Sequence, residues 1–276
     1  MRHEIKHYRD TYEEFASLLS YGSALIEAQT GLEAIDQRQF YAERIFCKLI
    51  CHGISLKRLS PSITSTTSPE LWDVSSNYAI ARTLIETYEA LAYIACESLQ
   101  ADEQDFRIAL WKLHSEERRA EMLRLIGTNN PEEVAIQRQV FNLRESILSH
   151  PFLPQVNKDL SERLRKGDTP PYHLSRALRD NRSGINHDYH KAVIMHLSSH
   201  VHTHPFSVHQ LFEFNARQPE CLTLMSIAIQ YSTGFLAKAI VGMIEIFTPR
   251  VPELTPQQEK VLDRWVELLK NGIKML

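Results

Sequence analysis

Residues 72–98 are apolar around almost the whole circumference of the helix that their spacing predicts. A helix of that kind has to be covered on all sides, so it is expected at the centre of whatever the chain builds. A second stretch of the same character runs from Leu222 to Phe247. It is long enough to span a bilayer, but Gln230, Lys238 and Glu245 interrupt it. An ionisable group at mid-bilayer costs about 2.5–3.5 kcal/mol. The expected role is therefore a long C-terminal core helix near 219–247, with no membrane partner.

Two helices that need burial call for a shell of amphipathic ones, and the rest of the chain supplies it. Helical spacing runs through 8–29, with Tyr12, Phe15, Leu18, Leu19, Leu25 and Ile26 on one face. A helix over 35–58 turns Phe40, Ile45, Leu49 and Ile50 inward, and 59–69 reads as a loop. Ser68-Pro69-Glu70 combines a cap, a first-turn proline and an acidic residue ahead of the central helix. Residues 103–126 are amphipathic and highly charged, with Glu116, Glu117, Glu121, Arg118, Arg119 and Arg124 read as a solvated face. Asn130-Pro131-Glu132-Glu133 starts a helix that ends near His150-Pro151. Shorter helices are expected at 157–166, 173–181, 188–203 and 206–214. Thr255-Pro256-Gln257-Gln258 is a capping box opening the last one, over 256–274. No segment alternates as a strand does. The expected fold is an all-α multi-helix bundle, with 1–276 as one helical domain or as two lobes joined near 151–172.

Composition narrows the function classes. Nine glycines leave little room for a phosphate-cradling loop, and neither G-x-G-x-x-G nor G-x-x-x-x-G-K-[ST] occurs. A formal charge of −3 argues against a generally basic surface for nonspecific nucleic-acid binding. The four cysteines form no C-x-x-C pair, which points to a reducing, cytoplasmic setting. Cys47 and Cys51 share a helical face and are expected to be buried thiols. The start Met-Arg-His-Glu-Ile-Lys-His has no apolar signal core. No cofactor is expected, and no serine or cysteine hydrolase motif is present.

Three groups of residues could carry chemistry. Arg82 and Glu86 stand four apart on an otherwise apolar helix, as a register-setting ion pair or as an anion clamp with its orienting carboxylate. Seven of the thirteen histidines fall between His187 and His209. Within them, His196 and His200 share a face one turn apart, the spacing of a transition-metal half-site; satisfied core histidines are the other reading. Arg182 and His187 are four intervening residues short of adjacency. Arginine can stabilise charge developing on phosphorus, and histidine can take or give a proton. The run 158–182 carries seven basic against four acidic side chains, a candidate backbone-tracking groove.

Ala81-Arg82-Thr83-Leu84-Ile85-Glu86, followed downstream by Leu197-Ser198-Ser199-His200-Val201-His202, resembles an uncharacterised family of bacterial helical proteins. That family carries an R-x-x-x-E helix and a later L-S-x-x-V-H helix. The resemblance implies that Arg82, Glu86, Ser198 and His202 face one another between core helices. More distantly, such chains are similar to the HEPN superfamily of helical bundles. Its active members are metal-independent ribonucleases that use R-x(4–6)-H across a dimer, often in toxin or phage-defence systems. Arg182 and His187 match that spacing, with Ser183 where Asn, Asp or His usually follows the arginine. The resemblance implies RNA as partner, a homodimer or partner protein, and His202 or His187 as general acid–base with Arg82 or Arg182 as clamp. The alternative is a non-catalytic interaction or regulatory protein in which the same residues form a structural polar network.

Overall fold

The computed structural model describes residues 2–61, 72–127, 131–213 and 220–272. Helices follow one another as α1 (Arg2–Gln29), α2 (Gln37–Leu59), α3 (Val74–Leu91), α4 (Ala101–Ile126), α5 (Pro131–Leu148), α6 (Lys158–Arg165), α7 (Arg176–Arg182), α8 (His187–Val201), α9 (Pro205–Glu213), α10 (Glu220–Phe247) and α11 (Pro256–Asn271). No strand occurs among the described residues, and the fold is an all-α bundle.

Local chemistry sets several of the helix ends. Asp36 accepts from the Gln39 amide at 2.7 Å and starts α2, and Asp73 does the same for α3 through Ser76 at 2.9 Å. The capping box expected at Thr255 forms with Gln258. The caps read at Ser68 and Asn130 lie outside the described residues. The apolar stretch 72–98 is not one uniform α-helix. After Leu91 it loosens into a π-helical turn over Ala92–Cys96, and Glu97 leaves it in an extended conformation.

The chain divides into two compact units, one of Met1–Glu97 with Arg179–Leu276 and one of Ser98–Leu178. The segment 151–172 lies inside the second. In the first unit α3 and α10 pack on each other at the centre, with α1, α2, α8 and α11 laid around them. Tyr78, Ala81, Leu84, Ile85 and Leu91 of α3 and Met225, Ile229, Leu236 and Ile240 of α10 are almost wholly buried. Each large aliphatic side chain so covered contributes roughly 1.5–3 kcal/mol. By length and composition α10 is apolar enough to cross a membrane, but 67% of its apolar window is buried inside the protein. Two of its buried hydroxyls stay within the helix, Ser232 donating to the Ala228 carbonyl and Thr233 to that of Ile229.

Two expectations are corrected on α2. Phe40 is exposed rather than inward, because the Arg44 guanidinium lies 3.5 Å over its ring and gives it a surface partner. Cys47 and Cys51 do share a face, but that face is exposed, since Ile45, Phe46, Leu49 and Ile50 take the inward positions. In the second unit α4 packs on α5 and α5 on α6 around Phe106, Leu110, Leu113, Ile147, Phe152, Leu160 and Leu164. Glu117 departs from the solvated face expected of α4, accepting from Arg144 at 2.7 Å and from the Thr169 hydroxyl at 2.9 Å.

In the first unit α10 comes close to the π-turn, where a Cβ on Gly242 would overlap Cys96 Sγ. Gly242→Ala is therefore expected to destabilise the protein by about 1–3 kcal/mol in denaturant unfolding. Pairing it with Cys96→Ala is expected to relieve part of that loss; two additive losses would mean that the sulfur is not the obstacle.

Candidate functional site

Helix α8 decides how the candidate residues are grouped. His187 is its first residue and His202 its C-cap. At 1.5 Å per residue the two stand about 22 Å apart along the axis. The Arg182/His187 pair and the Arg82/Glu86/His202 set are therefore two places, one at each end of a helix packed on α3.

At the carboxyl end the two segments 120 residues apart do meet. Arg82 Nε donates to Glu86 Oε1 at 2.9 Å, and Arg82 Nη1 lies 3.2 Å from His202 Nε2. A guanidinium offers only donors, so Nε2 accepts and the imidazole proton is on Nδ1. The His204 ring stacks on that of His202 with centroids 5.6 Å apart. Ser198 is on the same helix, but its hydroxyl is spent on the Ile194 carbonyl. The chain leaves α8 through bonds from His204 N to Ser199 O (2.9 Å) and from Thr203 N to His200 O (3.4 Å). Thr203 takes the left-handed conformation at φ 52°, where glycine is usual.

Midway along α8, His196 and His200 share a face as their spacing predicts, with ring centroids 5.9 Å apart. Both pack on the buried Tyr78 ring, at 5.1 and 4.2 Å. His200 Nε2 meets Gln210 Oε1 at 3.0 Å, and His196 Nδ1 has the Tyr231 hydroxyl at 3.4 Å. Burial lowers the pKa of both, and for His196 the neighbouring His200 adds to the effect. Among the described residues no group of three or more His, Cys, Asp and Glu side chains is arranged to hold a metal ion. The pair thus has two imidazoles and no further ligand of those types.

The amino end holds a network that the sequence did not announce. His187 Nδ1 donates to Asp180 Oδ2 at 2.7 Å, and Asp180 Oδ1 takes a second hydrogen bond, from His190 Nδ1, also at 2.7 Å. His190 Nε2 lies 3.2 Å from Glu89 Oε1, and Arg179 Nη2 donates to Glu89 Oε2 at 2.6 Å. His190 is 0% and Asp180 3% exposed, whereas the His187 side chain is 39% exposed. Burial works against a charged His190, but hydrogen bonds and charges from Asp180 and Glu89 outweigh it and raise its pKa. The His190 imidazole thus stands between two buried carboxylates, with the partly buried Arg179 guanidinium on the other oxygen of Glu89. Arg182, its side chain 40% exposed, faces Glu97 Oε2 at 3.6 Å. Ser183 shares a hydrogen bond with the buried Tyr88 hydroxyl.

The turn between α7 and α8 is tied down at several points. Ile185 N donates to Asp180 O (2.8 Å), Asn186 N to Leu269 O of α11 (2.8 Å), and the Asn186 side chain caps the Tyr189 amide (2.9 Å). Two signals for this network were present in the sequence: Glu89 is an ionisable residue within the apolar helix, and Asp180 lies between Arg179 and Arg182. Counted only as charge, the run 158–182 looked like a basic groove. In the structure Arg163 pairs with Asp168 at 2.7 Å, Arg179 with Glu89 and Arg182 with Glu97.

The raised His190 pKa carries a signed pH dependence. Its contribution to stability is complete below the unfolded value of about 6.5 and is lost as pH climbs through the higher folded value. Thermal unfolding of the wild type is expected to lose this contribution on the alkaline side, and His190→Gln to flatten that slope; an unchanged slope in the variant would contradict the assignment. Thr203→Gly is expected to stabilise by about 1 kcal/mol, since glycine relieves the left-handed strain; a lower melting temperature would show that the threonine side chain is needed. The chain matches no protein-family model, no curated protein and no solved structure.

Proposed function

We infer that the amino end of α8 acts on RNA by metal-independent phosphodiester cleavage, with His187 as general base and Arg182 as phosphate clamp. The observation that carries this reading is the 2.7 Å bond from His187 Nδ1 to a buried carboxylate. It places the ring proton on Nδ1 and leaves Nε2 as the lone-pair nitrogen of a part-exposed ring. In the reaction, Nε2 removes the proton of a 2′-hydroxyl, and the 2′-oxygen attacks phosphorus. The bond to the 5′-oxygen breaks, that oxygen takes a proton from water, and the products are a 2′,3′-cyclic phosphate and a 5′-hydroxyl. The imidazolium returns its proton to solvent. Arg182 carries a planar guanidinium, which suits a phosphate, and it flanks the same short turn. The positive end of the α8 dipole favours an anion here.

The carboxyl end of α8 is the second reading, favoured by the contact between Arg82 and His202. Its electrostatics suit a phosphate less well. Glu86 already holds the Arg82 guanidinium, and the negative end of α8 faces the site. In the third reading both ends are structural polar networks of a non-catalytic interaction protein.

Incubation of purified protein with RNA in EDTA separates the three. His187→Ala is expected to lower the cleavage rate by about 10²–10⁴-fold, and Arg182→Ala by about 10²–10³-fold. Loss in His202→Ala and Arg82→Ala with His187→Ala still active would move the site to the other end. RNA left intact by the wild type would leave the structural reading.

A further inference from the structure

We propose that Asp180, His190 and Glu89 form a buried network that positions His187 and tunes its basicity, so that side chains hidden in the core act on a reaction at the surface. The proposal rests on the acid–base reading of His187 for its catalytic part; its structural part stands alone. Asp180 is hydrogen-bonded to both imidazoles, His190 and His187, at 2.7 Å each, and Glu89 Oε1 stands at an ion-pair distance of 3.2 Å from the far nitrogen of His190. The network passes from helix α3 to α8, to α7 and back to the first residue of α8.

Asp180 is shared between two imidazoles. One of its oxygens fixes the His187 tautomer and the other accepts from His190. With His190 carrying a proton, as its two carboxylate neighbours favour, part of the Asp180 charge is claimed from behind. His187 is therefore oriented by a carboxylate whose pull on the imidazolium is moderated. A buried pair whose only task was to tie α7 and α8 to α3 has no need of a surface histidine on the same carboxylate. Salt bridges of that purpose are replaceable by apolar packing at little cost. Asp180 is the charged group in contact with His187; behind it, Tyr88, Glu89, Tyr93, Arg179, Asp180 and His190 line one small cavity, and Arg182 pairs with Glu97. Helix α11 contributes the Leu269 carbonyl to the adjoining turn.

Two measurements test this, and they fail separately. Nitrogen-15 NMR of the full chain reads the His187 tautomer without reference to activity. The expected result is a single form protonated on Nδ1 in the wild type and in Glu89→Gln, and a mixed population in Asp180→Asn. A wild-type His187 protonated on Nε2, or the same tautomer in Asp180→Asn, overturns the network. Should Asp180→Asn fail to fold, the wild-type tautomer alone decides. The second measurement is the pH profile of kcat/KM for RNA cleavage. His190→Gln removes the rear cation and gives His187 the whole Asp180 charge. The acid limb, where the base is protonated, is then expected to move up by about one pH unit. Asp180→Asn is expected to move it down, with a loss of about 10²-fold or more. An acid limb that stays in place in His190→Gln overturns the tuning. A positive tautomer result with RNA uncleaved at every pH would instead overturn the cleavage reading, leaving the network as the orienting device of a surface imidazole.

Discussion

The need to cover α3 organises the first unit. Its apolar surface is met by α10 on one side and by α2 and α8 on others, so each partner helix is placed by what α3 must hide. That burial also explains why ionisable residues on α3 matter. Arg82, Glu86 and Glu89 are carried by the helix least able to leave a charge alone, and each has a charged partner. Arg82 and Glu86 solve the problem near the surface, with one another and with His202. Glu89 is buried and has to be met by Arg179 and His190, which fixes where α7 and the start of α8 can lie.

Helix α8 translates that constraint into chemistry. Its 15 residues separate two histidine-bearing ends with opposite electrostatics. The amino end combines a positive dipole, a surface imidazole and a buried carboxylate behind it. The carboxyl end combines a negative dipole, an imidazole held by arginine and a strained left-handed threonine. Between them, His196 and His200 pack on Tyr78, where burial lowers their proton affinity. A local excess of histidine thus resolves into separate environments, each set by the partner that the tertiary fold supplies.

How much of the site could be read in the chain follows from the range of the interactions. The pairing of Arg82 with Glu86 is local to one helix turn, and its spacing predicts it. The meeting of the R-x-x-x-E and L-S-x-x-V-H segments followed from a resemblance, and the 3.2 Å contact between Arg82 and His202 is its geometric counterpart. Ser198 shows the limit of that carry-over, since its hydroxyl bonds its own helix instead of the site. The network of Glu89, Asp180 and His190 was not legible, because Glu89 and Asp180 are 91 positions apart and neither lies in a recognisable motif.

What the sequence by itself determined is the all-α class, the near-position of most helix ends, and the two helices that need complete burial. These follow from side-chain periodicity and from capping chemistry, which act over a few residues. The tertiary structure alone decided that α3 ends in a π-turn against Gly242, that Cys47 and Cys51 face outward, and that Arg182/His187 and Arg82/His202 are two places. It also decided which histidine has a buried carboxylate behind it. The physical reason is that a charge or an imidazole takes its character from the partners brought to it across the core, and spacing along one chain does not specify them.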